Sequence, residues 1–196
     1  DEVFSKLNLP VVIKFNNRKI LTGIAEVAGI PELMVDMTVA IDKLDKIGLD
    51  GVKKEMAERG IGEAAVEKIT QILAIQSLEK LQSALSASET GKLGIQEIQS
   101  LLQYLGTSTT QQEIRFDITL ARGLNYYTGC IFEVQAKGVA MGSIGGGGRY
   151  DNLTGVFGLK DVSGVGVSFG AERIYDVLEE LNLFPADLQV ATKALF

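Results

Sequence analysis

Leu120-Ala-Arg122-Gly-Leu-Asn-Tyr126-Tyr127-Thr-Gly-Cys130 places an arginine and two tyrosines beside glycine, between two runs that read as strands. A permanently charged guanidinium and two phenols, on backbone that permits close approach, equip a pocket for a small polar ligand. Downstream stand Ser143-Ile-Gly-Gly-Gly-Gly-Arg149-Tyr150-Asp151 and then Gly164-Val-Gly-Val-Ser-Phe-Gly170-Ala-Glu172-Arg173, which passes from apolar strand to amphipathic helix. Glu113 to Leu120 and Thr128 to Gln135 alternate apolar and polar residues, and with Val162 to Phe169 they predict antiparallel strands of one sheet. The last helix is expected from about Ala171 to Leu181, burying Ile174, Val177, Leu178 and Leu181.

Upstream, residues 9 to 16 are β-branched and partly alternating, and Lys19 to Ala28 has a helical pattern that Gly29-Ile-Pro31 ends. From 31 to 105 the period is helical: Met37, Ile41 and Leu44, then Leu78, Leu81 and Leu85, then Ile95, Ile98, Leu102 and Leu105. Glycines 48, 51, 60, 62, 91 and 106 divide this region into about four helices. Their stripes are too narrow to be stable alone, so they are expected to pack together as an insert. With eight basic and twelve acidic residues, hence a net charge of −4, its outer surface reads as solvated rather than phosphate-binding. The expected division is 1–30 strand and helix of the core, 31–105 helical insertion, 106–184 sheet with the signature segments, and 185–196 the start of a linker or further domain. The fold class is α+β, an antiparallel sheet interrupted by an all-helical insertion.

The chain has 196 residues, 46% of them hydrophobic and 22% charged, the make-up of a soluble globular protein. No window approaches the roughly eighteen apolar residues of a membrane span, and Asp1-Glu-Val-Phe lacks the basic start of a signal peptide. A cytoplasmic setting with no membrane partner is expected. The single cysteine, Cys130, cannot form an internal disulfide, and without histidine a structural metal site is not expected. A net charge of −6 argues against broad attraction to nucleic acid, DNA included. The chain starts without Met and stops just after an apolar run, Leu188 to Thr192, so it reads as an excised piece.

Gly166-Val-Ser168-Phe-Gly170 fits the Gly-x-Ser-x-Gly pattern of a hydrolase nucleophile elbow. With no histidine a Ser-His-Asp triad cannot be assembled, and Ser168 lacks a suitable general base. Gly145 to Gly148 form no Walker loop, since no Gly-Lys-Ser/Thr follows. Their expected use is steric, bringing backbone close to a ligand and allowing positive φ where the strand turns. Arg149 and Asp151 pair with each other or cap the next helix. On strand-like backbone Tyr126 and Tyr127 would lie on opposite sides, so that only one faces a given ligand.

The first segment resembles the Arg-Gly-Leu-Asp-Tyr-Tyr signature of histidyl-tRNA synthetases, the second is similar to their Gly-Gly-Arg-Tyr-Asp signature, and the third to motif 3 of class II aminoacyl-tRNA synthetases. The resemblance covers residues 119 to 175, with weaker echoes at Ile13-Lys-Phe-Asn-Asn-Arg-Lys-Ile20 and Ile41-Asp-Lys-Leu-Asp-Lys-Ile47. It implies activation of L-histidine by ATP, with Mg2+ accompanying the nucleotide, and transfer to tRNA(His) by a homodimeric ligase of protein biosynthesis. It assigns Arg122 to the charge developing on the α-phosphate, Tyr126, Tyr127, Gly147 and Tyr150 to histidine, and Gly166, Gly170 and Arg173 to ATP. Read from residues alone, Arg122 is a strand-end arginine that pairs with Asp117 or Glu133. Asn125 stands where the signature has Asp, and Ser168 where motif 3 has glycine.

Motifs 1 and 2 do not occur before Leu9 and are expected upstream of Asp1, with an acidic partner for the imidazole; the segment alone is then expected to be inactive. The rival reading is a synthetase-like subunit that senses histidine for ATP phosphoribosyltransferase. A third makes residues 31 to 105 merely a protein-interaction platform.

Overall fold

The computed structural model describes residues 1–121 and 126–185. A short helix, α1 (Glu2–Lys6), precedes strand β1 (Val11–Asn17) and helix α2 (Arg18–Val27). The turn from β1 into α2 is fixed at Asn17, whose side-chain oxygen accepts a 2.9 Å hydrogen bond from the Lys19 N–H and so caps the helix.

Five helices follow: α3 (Met34–Ile41), α4 (Leu44–Glu58), α5 (Glu63–Leu73), α6 (Leu78–Ala84) and α7 (Glu89–Gly106). Glycine punctuates them less than its positions suggest. Gly48 kinks α4 with φ of 67°, but Gly51 lies within α4 and Gly91 within α7. The expected stripes are buried at Met37, Ile41, Leu81, Leu85, Ile95 and Ile98, whereas Leu102 is exposed and half-buried Leu101 packs on the core instead. These helices form one apolar cluster with α2 and with Phe15 of β1, so they share a core with the sheet.

Two glycines, Gly23 of α2 and Gly94 of α7, serve packing. A Cβ on Gly23 of α2 would lie 2.5 Å from the Gly91 Cα, and one on Gly94 would lie 2.8 Å from the Ile20 backbone nitrogen. The two helices therefore cross with their backbones in contact. Gly94→Val is expected to force them apart and to lower stability by about 3 kcal/mol, read as a reduced urea midpoint.

The sheet is completed by β2 (Glu113–Phe116), β3 (Cys130–Ala136), β4 (Gly145–Tyr150) and β5 (Gly164–Phe169), in the order β2-β1-β3-β4-β5. A short helix, α8 (Leu153–Val156), links β4 and β5, and α9 (Ala171–Glu180) follows β5. Three of the four pairings are antiparallel, but β2 runs parallel to β1, contrary to the expected direction, and stops at Phe116. The long helical excursion supplies the crossover that parallel neighbours require. The quadruple glycine is a buried strand and not a turn, and positive φ occurs at none of its residues.

Alternation gives the sheet two faces. Val11, Ile13 and Phe15 pair with Ala136, Val134 and Phe132 on one. There Phe4, Leu9, Val11 and Val134 pack with Val177 and Leu178 of α9, with Ile174 and Leu181 partly buried alongside, as the sequence pattern predicts. The other face carries Lys14, Asn16, Glu133 and Gln135, then Gly146 and Gly148 of β4 paired with Ser168 and Gly166 of β5.

Candidate active site

On this second face, side chains are replaced by glycine hydrogens over a broad area. A Cβ on Gly148 would meet the Cys130 carbonyl at 2.7 Å and the Tyr127 ring at 2.8 Å. A Cβ on Gly166 would meet the Tyr150 ring at 3.3 Å, and one on Gly164 would overlap that ring. These glycines thus form a floor on which two tyrosine rings rest. The resemblance gives Gly166 to ATP, and the Tyr150 ring stands beside it on this face. Gly147 is placed differently again: its Cβ would strike the Gly166 carbonyl and the Phe132 ring at 2.7 Å, so its missing side chain serves packing on the other side of the sheet.

The tyrosines are brought together. Tyr126 and Tyr127 precede β3 outside any strand, so strict alternation does not separate them, and their rings lie 4.5 Å apart at 52°. Tyr126 also approaches Tyr150 edge-on at 6.5 Å. Tyr127 is buried at 7% exposure and Tyr126 is open to solvent at 41%, which makes Tyr127 the inner wall of the cluster. Arg122 and Asn125 lie outside the described residues.

The flanks of the cluster are fixed by polar pairs. Arg149 and Asp151 form the expected ion pair, with Nε and Nη2 each 3.0 Å from Oδ1. The other Asp151 oxygen accepts from the Thr128 hydroxyl at 2.5 Å, and that bond, with the Arg149 pairing, holds the carboxyl below its usual range against the opposing effect of burial. Burial pushes the Cys130 thiol up to about 11, so it is protonated at neutral pH.

A cleft of about 480 Å3 opens next to the cluster, lined by Ser143, Ile144, Gly146, Ser168, Gly170 and Arg173 among others. Gly170 begins α9 without a side-chain cap, leaving first-turn N–H groups and the positive end of the helix dipole at the cleft. Arg173 Nη1 donates to the Ser143 carbonyl at 2.6 Å, which fixes the guanidinium across the cleft mouth. Sequence reasoning missed Ser143, because a backbone carbonyl leaves no signature. Gly146 lines this cleft and Gly148 touches Tyr127 on the same face, about 7 Å along one strand. An aromatic cluster and a cleft bearing Arg173 therefore adjoin across a glycine floor.

Loop residues 117–121, which lead toward Arg122, rest on β1. Asp117 Oδ2 lies 3.2 Å from Lys14 Nζ, while Oδ1 accepts from the Thr119 N–H and hydroxyl at 3.0 and 2.6 Å. Burial disfavours the Asp117 charge, but the Thr119 bonds and the Lys14 charge outweigh it and lower its pKa. A carboxylate whose folded pKa is lowered stabilises above the unfolded value of about 3.9, and that contribution is lost as pH falls through the folded pKa. Asp117→Asn should therefore cost about 1–2 kcal/mol at neutral pH, with the gap from wild type closing below about pH 4 in thermal melts.

Among the described residues no group of three or more Cys, Asp or Glu side chains could hold a metal, and no helix is long and apolar enough to cross a membrane.

The family model described as Histidyl-tRNA synthetase matches residues 2–174. The histidine–tRNA ligase of Bacteroides fragilis strain YCH46 is 56% identical over 100% of this chain, and that of Christiangramia forsetii is likewise 56% identical over 100%. The chain spans 44% and 45% of the length of these two relatives. A solved histidyl-tRNA synthetase from Nostoc sp. PCC 7120 superposes with a TM-score of 0.82 at 34% identity, over 94% of this chain and 46% of that one. A Bacillus halodurans structure titled as an ATP phosphoribosyltransferase regulatory subunit/histidyl-tRNA synthetase shares the fold, at 16% identity and a TM-score of 0.68. Matched by the family model over most of its length and by ligases over all of it, the chain belongs to the histidyl-tRNA synthetase family.

Proposed function

We propose that this chain is part of a histidine–tRNA ligase, which activates L-histidine with ATP to histidyl-adenylate and transfers the histidyl group to tRNA(His). The observation that carries this reading is the adjacency of the tyrosine cluster and the cleft at Arg173, on one glycine-floored face. Adenylate formation requires the amino-acid carboxylate to meet the α-phosphate in line, so an amino-acid pocket and a phosphate site must adjoin. Tyr127 and Tyr150 offer hydroxyls that can donate to or accept from the two imidazole nitrogens, and their rings pack on the ligand. A site that pairs both nitrogens rejects apolar amino acids, whose binding would strand its polar groups. Arg173 and the N–H groups of α9 hold ATP phosphates, with Mg2+ arriving as part of the nucleotide substrate. Gly170 keeps the backbone low beside the nucleotide, and Arg122 faces the charge that builds on the phosphoryl oxygens.

The 56% identity to ligases favours the enzyme over a histidine-sensing regulatory subunit. In this reading the sheet belongs to a class II catalytic core of a cytoplasmic homodimer. Residues 31–105 act as its helical insertion within the 1–30 and 106–184 core, and 185–196 begin a linker whose residues 186–196 lie outside those described. Because the chain spans less than half of its relatives, this segment alone carries little activity. Histidine-dependent exchange of pyrophosphate into ATP tests both statements. The full-length protein should turn over with histidine and not with other amino acids, and brisk exchange by residues 1–196 alone would contradict the second.

A further inference from the structure

Three consecutive residues of β1 grip the loop that precedes the tyrosines. Lys14 holds the Asp117 carboxylate, the Phe15 carbonyl accepts from the Asp117 N–H at 2.9 Å, and Asn16 reaches furthest. Its Nδ2 donates to the carbonyls of Ile118 and Leu120, at 3.0 and 2.9 Å. Asn16 is fully buried, and its Oδ1 is the buried side-chain oxygen without a hydrogen-bond partner among the described residues. A group kept in a core with one end unsatisfied is retained for what its other end does. That end ties down the last turn before Ala121, and Arg122 follows in sequence. The far flank of the segment is tied to the same strand end, where the Arg18 N–H donates to the Gly129 carbonyl at 2.9 Å and Asn17 pairs with Cys130.

We infer that Asn16 is a positioning residue for adenylate formation: its carboxamide fixes the entry to the segment that carries Arg122, Tyr126 and Tyr127. The inference rests on the function proposed above. An aspartate has the same shape and no donor when ionised, so Asn16→Asp sets a carboxylate against two carbonyls and releases the loop. When protonated it regains a single O–H donor.

In the full-length protein, Asn16→Asp should lower kcat for histidine-dependent pyrophosphate exchange on the order of 10- to 100-fold at pH 8, the scale of a small misplacement of reacting groups. The KM for ATP should change little, since Arg173 stands on α9 and Ser143 just before β4, away from β1. The loss should shrink as pH falls toward 6, where the buried carboxyl takes up its proton. Hydrogen–deuterium exchange should quicken in peptides covering 117–129 and stay unchanged in those covering β4 and β5. Wild-type kcat in the variant, or unchanged exchange at 117–129, overturns the inference. If Asn16→Asp does not fold, Lys14→Met releases the same loop and should show the same local quickening with a smaller fall in kcat; its absence likewise overturns the inference. A wild-type protein without histidine-dependent activity would sink the proposed function instead, and the local exchange would still decide the role of Asn16 as a clamp.

Discussion

Arg173→Ala lowers kcat for histidine-dependent pyrophosphate exchange in the full-length protein by about 10²–10³-fold, the loss expected when a preorganised donor to developing charge is removed. The size follows from the setting. Arg173 stands in the first turn of α9, where helix dipole and guanidinium face the same cleft, and the Ser143 carbonyl fixes its reach. Arg173→Lys keeps the charge but cannot donate in a planar fork, so it should recover only part of the rate. The melting temperature should hardly move, because the side chain is exposed. A variant with wild-type kcat would take Arg173 out of the phosphate site.

Gly148→Val is expected to abolish measurable histidine binding while the nucleotide site survives. The new Cβ would stand 2.7 Å from the Cys130 carbonyl and 2.8 Å from the Tyr127 ring, so both the strand and the ring must shift. Overpacking of this kind costs about 1–3 kcal/mol, and here displacement of the inner wall of the pocket concentrates it at the site. Calorimetry with L-histidine should show no heat, while ATP still binds at the cleft bounded by Gly146 and Gly170. Undiminished histidine affinity would mean that the tyrosine cluster lies elsewhere than at the ligand.

Much of this architecture is legible in residue pattern, for reasons that also explain what is not. Alternation in Val162 to Phe169 and the stripe of Val177 and Leu178 are local signals, and β5 and α9 lie where they point. The direction of β2 is not local. It depends on how a helical excursion of some ninety residues returns the chain, and no residue of Glu113–Phe116 records that. Glycine is ambiguous for a different reason. Gly91 reads as a helix break and Gly147 as room for a ligand, whereas Gly91 lies within α7 where Gly23 of α2 packs on its Cα, and Gly147 has the Gly166 carbonyl against it. Alternation would put the tyrosine pair on opposite sides only within a strand, and Tyr126 and Tyr127 lie together because β3 begins later, at Cys130. Asn16 sat within a weak echo of the family and gave no chemical signal. Only the partners of its Nδ2 reveal its use.

The face floored by Gly148 and walled by Tyr127 is proposed to receive the imidazole of histidine beside the cleft at Arg173. Calorimetric titration of the full-length protein with L-histidine, comparing wild type with Tyr127→Phe, tests it most directly. Loss of one hydroxyl that pairs a ring nitrogen should weaken binding by about 1–3 kcal/mol, a Kd raised roughly 5- to 150-fold, with the fold unchanged. Equal affinity in the two proteins would contradict it.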